Sequence, residues 1–362
     1  MHRLLSIVLF SILLFISIYS IGYPSEPEVV AEIYEGTCGL EIPGFADYPN
    51  PFGATSRMLS EWGYGKIVVS DDGVIFYCTA GAIYKIESYD SLSVFFKSYY
   101  VMGFFIDKFG HYHIQYQTSQ KPHIVVRQIK LTSVGEKISE FTSDRNNKHK
   151  KWLDDGTFLC TSQYENYTVY STDGQELGKQ PCYNFYRINS NDEIIILDGE
   201  SNLRDESNQL KYGYLHRRDK NMIAIYKPDT LSGLHIGKTR SIPEWTRYID
   251  FAQVHDISDN YTMIFNPERP YYGKENREIS RIFKIDLKDG IPIELPAIDI
   301  DTIVPKELII IESNVCVTRS GDIYQAYLAY GSIRASKNPK KDFNPPQDRL
   351  VVIKWKQEQY DK

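Results

Sequence analysis

The sequence predicts an all-β chain folded as a β-propeller of about six four-stranded antiparallel blades, and three observations carry that expectation. The first is composition. Aromatic residues make up 14% of the 362 residues, and 28 of them are Tyr. Side chains of this kind suit a pleated, half-buried surface better than a helix. The second is periodicity: apart from an apolar run at the N-terminus, no long stretch places apolar residues at i, i+3, i+4 and i+7, the mark of an amphipathic helix. The third is a recurring unit of an apolar or aromatic strand, a tight turn of Asp, Asn, Ser or Gly, and a second apolar strand.

In chain order the unit occurs at Lys66–Tyr77, Phe104–Ile114 and Trp152–Cys160, and more loosely at Tyr186–Ile196, Val254–Ile264 and Val315–Tyr324. Gly, Asn and Asp recur in its turns because a tight hairpin needs positive φ to match the twist of its strands. With Gly73, Gly110, Gly156, Asp192, Asn260 and Gly321 as equivalent positions, the spacings are 37, 46, 36, 68 and 61 residues. The first three are close to the length of a propeller blade, about 40 to 50 residues. The two long spacings are absorbed if residues 199–219 and 266–278, both polar and rich in breakers, are loops inserted between strands.

Each hairpin is followed by a further apolar strand: Ala82–Ile86, His123–Ile129, Tyr167–Tyr170, Met222–Tyr226, Ile282–Leu287 and Leu350–Trp355. A lone four-stranded sheet cannot bury both faces, and radial stacking hides them while ring closure protects the edges. The early segment Val29–Tyr34 is expected to pair with Leu350–Trp355 and close the ring. A β-sandwich, or two small β domains, is the alternative architecture.

The hydrophobic-Asp-Gly-hydrophobic hairpins followed by an aromatic strand resemble the six-bladed propeller superfamily of extracytoplasmic bacterial proteins, over roughly residues 29–356. The resemblance implies the architecture alone. The Trp-Asp dipeptide of one propeller class and the glycine-rich repeat of quinone-binding propellers are both absent.

The expected organisation is a signal peptide or membrane anchor over residues 1–22, a short linker 23–28, one propeller domain 29–356 and a polar tail 357–362. Arg3 followed by the apolar run Leu4–Ile21 has the form of a secretory leader. Small residues at Ser20 and Gly22 favour cleavage after Gly22, whereas a run of this length also approaches the roughly 20 residues that cross a bilayer. Either way the body of the chain is expected outside the cytosol: secreted, periplasmic or envelope-associated.

The formal charge of -6 argues against nucleic acid as a partner. A membrane is expected to matter only through an uncleaved N-terminal segment. The basic stretches Arg145–Lys151 and Lys340–Lys341 read as solvated loops. Five widely spaced cysteines exclude a CxxC metal or redox motif, and Cys160 with Cys182 is the one pair worth testing for a bridge.

No local catalytic signature is present: there is no nucleophile elbow, zinc helix or phosphate loop. His111 and His113, two apart on a strand, could share an ion or pack between blades, and no third ligand is evident. Asp299 and Asp301 could hold a cation from one strand face, or form an ordinary strand with a wet face. The pairs Asp71-Asp72 and Asp154-Asp155 sit in turns, which accounts for them. No catalytic residue, metal site or cofactor is assigned.

Inserted loops on a rigid scaffold are the natural place for recognition. Arg269, Tyr271 and Tyr272 present a guanidinium and two aromatic rings, a composition suited to peptide or sugar contact. Asn166-Tyr-Thr and Asn260-Tyr-Thr match a glycan acceptor pattern. The expected function is a binding module for a protein, peptide or glycan. The alternative is a propeller hydrolase, lactonase or lyase with a cation at the channel mouth.

Overall fold

The structure, a computed structural model, describes residues 26–40, 65–118, 125–143, 149–152, 156–163, 166–181, 185–188, 194–199, 221–230, 233–241, 254–257, 262–265, 282–286, 292–331 and 347–356. Within them lie six four-stranded antiparallel sheets. The first holds β2 (Lys66–Val69), β3 (Ile75–Cys78), β4 (Ala82–Ser88) and β5 (Ser91–Lys97). The second holds β6 (Tyr100–Ile106), β7 (Tyr112–Gln117), β8 (Val126–Leu131) and β9 (Lys137–Ser143). The third holds β10 (His149–Trp152), β11 (Phe158–Gln163), β12 (Asn166–Tyr170) and β13 (Glu176–Pro181).

The fourth sheet holds β14 (Phe185–Ile188), β15 (Ile194–Gly199), β16 (Asn221–Thr230) and β17 (Gly233–Ser241). The fifth holds β18 (Val254–Ile257), β19 (Thr262–Phe265), β20 (Phe283–Asp286) and β21 (Pro292–Glu294). In the sixth, β22 (Leu308–Val317), β23 (Ile323–Gly331) and β24 (Arg349–Trp355) are completed by β1 (Glu28–Tyr34).

The chain is a six-bladed β-propeller. The first strand of each blade is the inner one: β6 lies against β2, β2 against β22, β22 against β18, and β18 against β14. The expected pairing of the first strand with the last is present, with Ala31 opposite Val352, Glu32 opposite Val351 and Ile33 opposite Leu350. One revision concerns the basic stretch at 145–151, which is not all loop, because His149–Lys151 belongs to inner strand β10.

The apolar run Leu350–Ile353 of β24 follows from burial on both faces, since alternate residues of a strand point to opposite sides. Leu350 and Val352 join Ala31, Ile33, Ala326 and Leu328 in a core shared with Ile67, Val69, Tyr77 and Tyr84 of the first blade. Val351, Ile353 and Trp355 point the other way, into a core with Val317, Ile323, Leu295 and Val304. Each fully buried aliphatic side chain contributes roughly 1.5–3 kcal/mol relative to exposure. Between the first two blades the core is aromatic: the ring of Phe76 meets those of Phe95, Phe104 and Tyr112 edge-on, with centroids 5.1, 5.2 and 5.3 Å away.

Five turns share one construction: 70–74, 107–111, 132–136, 171–175 and 318–322. In each, the first residue's N–H donates to the carbonyl of the fifth, and the N–H of a glycine in fourth place donates back to the first carbonyl. The first residue is Ser, Thr or Asp, and its side-chain oxygen accepts from the fifth N–H at 2.9–3.0 Å. The short polar side chain holds the turn, while the glycine takes the positive φ that closes it, from 79° to 97° in these five.

Candidate functional site

In every blade the first-to-second and third-to-fourth strand connections leave at one end of the sheet, and the remaining connections leave at the other. At the first end all eleven links are short, from two to five residues: 70–74, 89–90, 107–111, 132–136, 153–157, 171–175, 189–193, 231–232, 258–261, 287–291 and 318–322. Every longer connection leaves at the opposite end, namely 35–65, 118–125, 200–220, 242–253, 266–282, 295–307 and 332–348. Antiparallel alternation makes this a property of the strand order. The propeller therefore has a tight-turn end and a long-connection end.

Arg269, Tyr271 and Tyr272 belong to the connection between β19 and β20, which leaves at the long-connection end; the three residues lie outside the described ones. Of the described residues at this end, Tyr99 is 51% exposed and Met102 is 38% exposed. Met102 stands out because the β6–β7 register shifts between Val101 and Gly103, and a bulge leaves its residue unpaired.

The strand expected at Asp299–Asp301 is absent. Ile300–Thr302 is instead a single turn of 3-10 helix, and Asp299 caps it by accepting from the Asp301 N–H at 3.1 Å. The Asp301 carboxylate turns to Lys306 at 3.6 Å. The apolar residues at 298, 300 and 303 that suggested alternation serve the core beside blade six instead. A turn of helix buries one side, and here that side carries Ile300.

His111 and His113 both point at one atom, Oδ2 of Asp107, with Nδ1 of His111 at 3.1 Å and Nε2 of His113 at 2.9 Å. The Lys130 ammonium stands 3.6 Å from the same oxygen. The other oxygen, Oδ1, accepts from the N–H groups of Phe109 and His111, each at 2.9 Å. Asp107 is wholly buried. Burial alone raises a carboxyl pKa, yet the His113 hydrogen bond and the His111 N–H outweigh it and hold the group at about 2.

The cluster sits where the second blade meets the third. A Cβ at Gly156 would fall 2.7 Å from the His113 ring and 3.1 Å from Asp107 Oδ2. This is the packing reading of the His pair. Among the described residues no group of three His, Cys, Asp or Glu side chains is arranged to hold a metal ion.

Asp71 does work beyond turn formation. Asp72 accepts from the Ser70 hydroxyl inside its turn, whereas Asp71 reaches the sixth blade, accepting from the Arg319 backbone N–H at 3.0 Å and from its guanidinium. Asp154 and Asp155 lie outside the described residues. Cys78 is buried in β3, where desolvation pushes its thiol up to about 12, a packing role rather than a reactive one. Cys182 lies outside the described residues, so the Cys160–Cys182 pair stays an expectation.

Two inter-blade residues escape sequence reasoning. Asn314, in the irregularity of β22, accepts from the Ile67 N–H and donates to the Ile67 carbonyl, both at 2.8 Å. Its amide thus mimics a strand partner between the inner strands of blades six and one. Trp152 lays its ring parallel to Phe105 at 6.3 Å, directly over Gly103. Asn314 lies outside the repeat units, and Trp152 opens one of them, but neither contact is written in the repeat.

Blade number, strand order and the unequal ends together define a six-bladed propeller with short turns at one end and the long connections at the other. No family model and no curated protein matches the sequence. Among solved structures, it is similar to a chain of the mitotic checkpoint complex at 10% identity and TM-score 0.43, covering 89% of this chain and 98% of that one. It is also similar to luciferin-regenerating enzyme, at 9% identity and TM-score 0.38 with coverages of 82% and 93%. The N-terminal domain of Nup159 is matched at 6% identity and TM-score 0.37, with coverages of 91% and 95%. Likeness at this level says nothing of ligand or activity.

Proposed function

We propose that the chain is a secreted or envelope-associated binding module that holds a protein, peptide or glycan at the long-connection end of its propeller. The observation that carries this reading is the division between the ends. Loop length that serves no fold requirement is collected on one side of a rigid scaffold, which is how binding surfaces are displayed. Arg269, Tyr271 and Tyr272 are the proposed contacts, combining a planar cation with aromatic area. Export is supported by Arg3 and the apolar run Leu4–Ile21.

The test is capture from an envelope extract of the source cells, and in parallel from a glycan array, on immobilised residues 23–362. A defined partner or glycan should be retained, and changing Arg269, Tyr271 and Tyr272 together to Ala should weaken it by about tenfold or more. Retention of nothing by the folded chain, or retention unaltered by the triple change, overturns the reading.

A further inference from the structure

We propose that the tight-turn end of the propeller rests on a lipid bilayer, with an arc of apolar side chains on blades one to three entering its interfacial layer and the run Leu4–Ile21 kept as the tether. Eight large hydrophobic side chains are strongly exposed among the described residues, and five stand at this end. They are Val134, exposed by 78%, Phe109 by 63%, Tyr89 by 49%, Ile138 by 47% and Leu177 by 42%. Phe109, Val134 and Tyr89 occupy turns, while Ile138 and Leu177 are the second residues of β9 and β13, just past their turns.

Two of the turns adjoin directly. A Cβ at Gly110 would touch Ser133 at 4.0 Å, which brings the turns of Phe109 and Val134 together. The turn glycines also meet strands of the preceding blade: Gly135 approaches Phe95 in β5, and Gly174 approaches Phe141 in β9. An exposed apolar array of this kind marks an interaction surface.

A bilayer is favoured as its occupant by the direction of β1. Glu28 pairs with Lys354, beside the Trp355–Ile323 pair that adjoins the 318–322 turn, so the chain enters the propeller from the tight-turn end. Residues 22–27 alone separate the apolar run from β1, a reach of roughly 20 Å when extended. The tether is Leu4–Ile21, an apolar run that approaches the roughly 20 residues needed to cross a bilayer.

Stable attachment generally takes two signals, and the tether and the arc are two. Beside the arc Lys108 and Lys137 are outnumbered by Asp90, Glu136, Asp173 and Glu176, so attraction to anionic lipid is not what seats it. The long-connection end then points away from the membrane, toward its ligand. This orientation shares with the proposed function only the expectation of export.

The test uses the full chain in phosphatidylcholine vesicles with brominated acyl chains, comparing Phe109→Trp, Val134→Trp and Tyr99→Trp, each against the parent spectrum. Circular dichroism verifies folding of each variant. The added fluorescence at 109 and 134 should move to shorter wavelength and be quenched by roughly half or more, as depth in the interface requires, while that at 99 stays unquenched. Quenching at 99 alone, or at none of the three, overturns the proposal. So does a chain from the source cells whose N-terminus is Tyr23 and which leaves the membrane fraction. Ligand capture at the opposite end would survive all of these results.

Discussion

A buried carboxylate is costly unless its lone pairs are satisfied, and Asp107 shows what that takes. Two backbone N–H groups, two imidazoles and an ammonium surround it. Its pKa is lowered from the unfolded value near 3.9 to about 2, so it binds protons more weakly folded than unfolded. The stability it contributes is therefore fully present above about pH 4 and is lost as pH falls toward 2, an effect of roughly 2 kcal/mol. Chemical unfolding of the parent and of Asp107→Asn from pH 6 to 2 should show their stability difference shrinking through that window. A difference that is constant with pH would mean the charge is not what matters.

At the scale of the element, the turn glycines carry a second duty toward the preceding blade. Gly73 faces Tyr324 of the sixth blade, Gly135 faces Phe95 of the first, and Gly156 and Gly174 face His113 and Phe141 of the second. At Gly156, with φ of 84°, a Cβ would meet both an unfavourable backbone and an imidazole held by Asp107. Gly156→Ala is expected to destabilise the chain by about 2–4 kcal/mol, the sum of left-handed strain and overpacking. The check is the denaturation midpoint. A loss under about 1 kcal/mol would mean that the third blade moves aside at little cost.

The hairpins themselves were legible because their period and turn chemistry are local. Lys66–Tyr77 and Phe104–Ile114 each yield the two expected strands and a glycine turn. What the glycine touches was not legible, because His113 lies in another blade. The Asp299–Asp301 segment misled for the same reason: its spacing of apolar residues fits a strand or one helical turn, and only its neighbours decide.

At the scale of the molecule, the ring is held where its two ends meet. Ala31 and Ile33 of β1 are wholly buried, and Glu32 accepts from Arg349 at 2.5 Å and from the Tyr89 hydroxyl at 3.0 Å. A chain beginning at Glu35 loses this strand and leaves β24 as an unpaired edge of the last blade. Its Tm should fall by at least about 10 °C relative to residues 23–362, or the chain should aggregate. An unchanged Tm would show that closure by β1 is dispensable.

The sequence by itself determined the all-β class, the hairpin units, the pairing of the first strand with the last, and two of the long connections, because strand period and turn chemistry are written in adjacent residues. Only the tertiary structure decided that Asp107 gathers two histidines and a lysine, that Asn314 bridges the inner strands, and that five of the eight strongly exposed apolar side chains among the described residues share one end. Those facts depend on contacts between residues far apart in the chain, Asn314 and Ile67 among them, which no local pattern records.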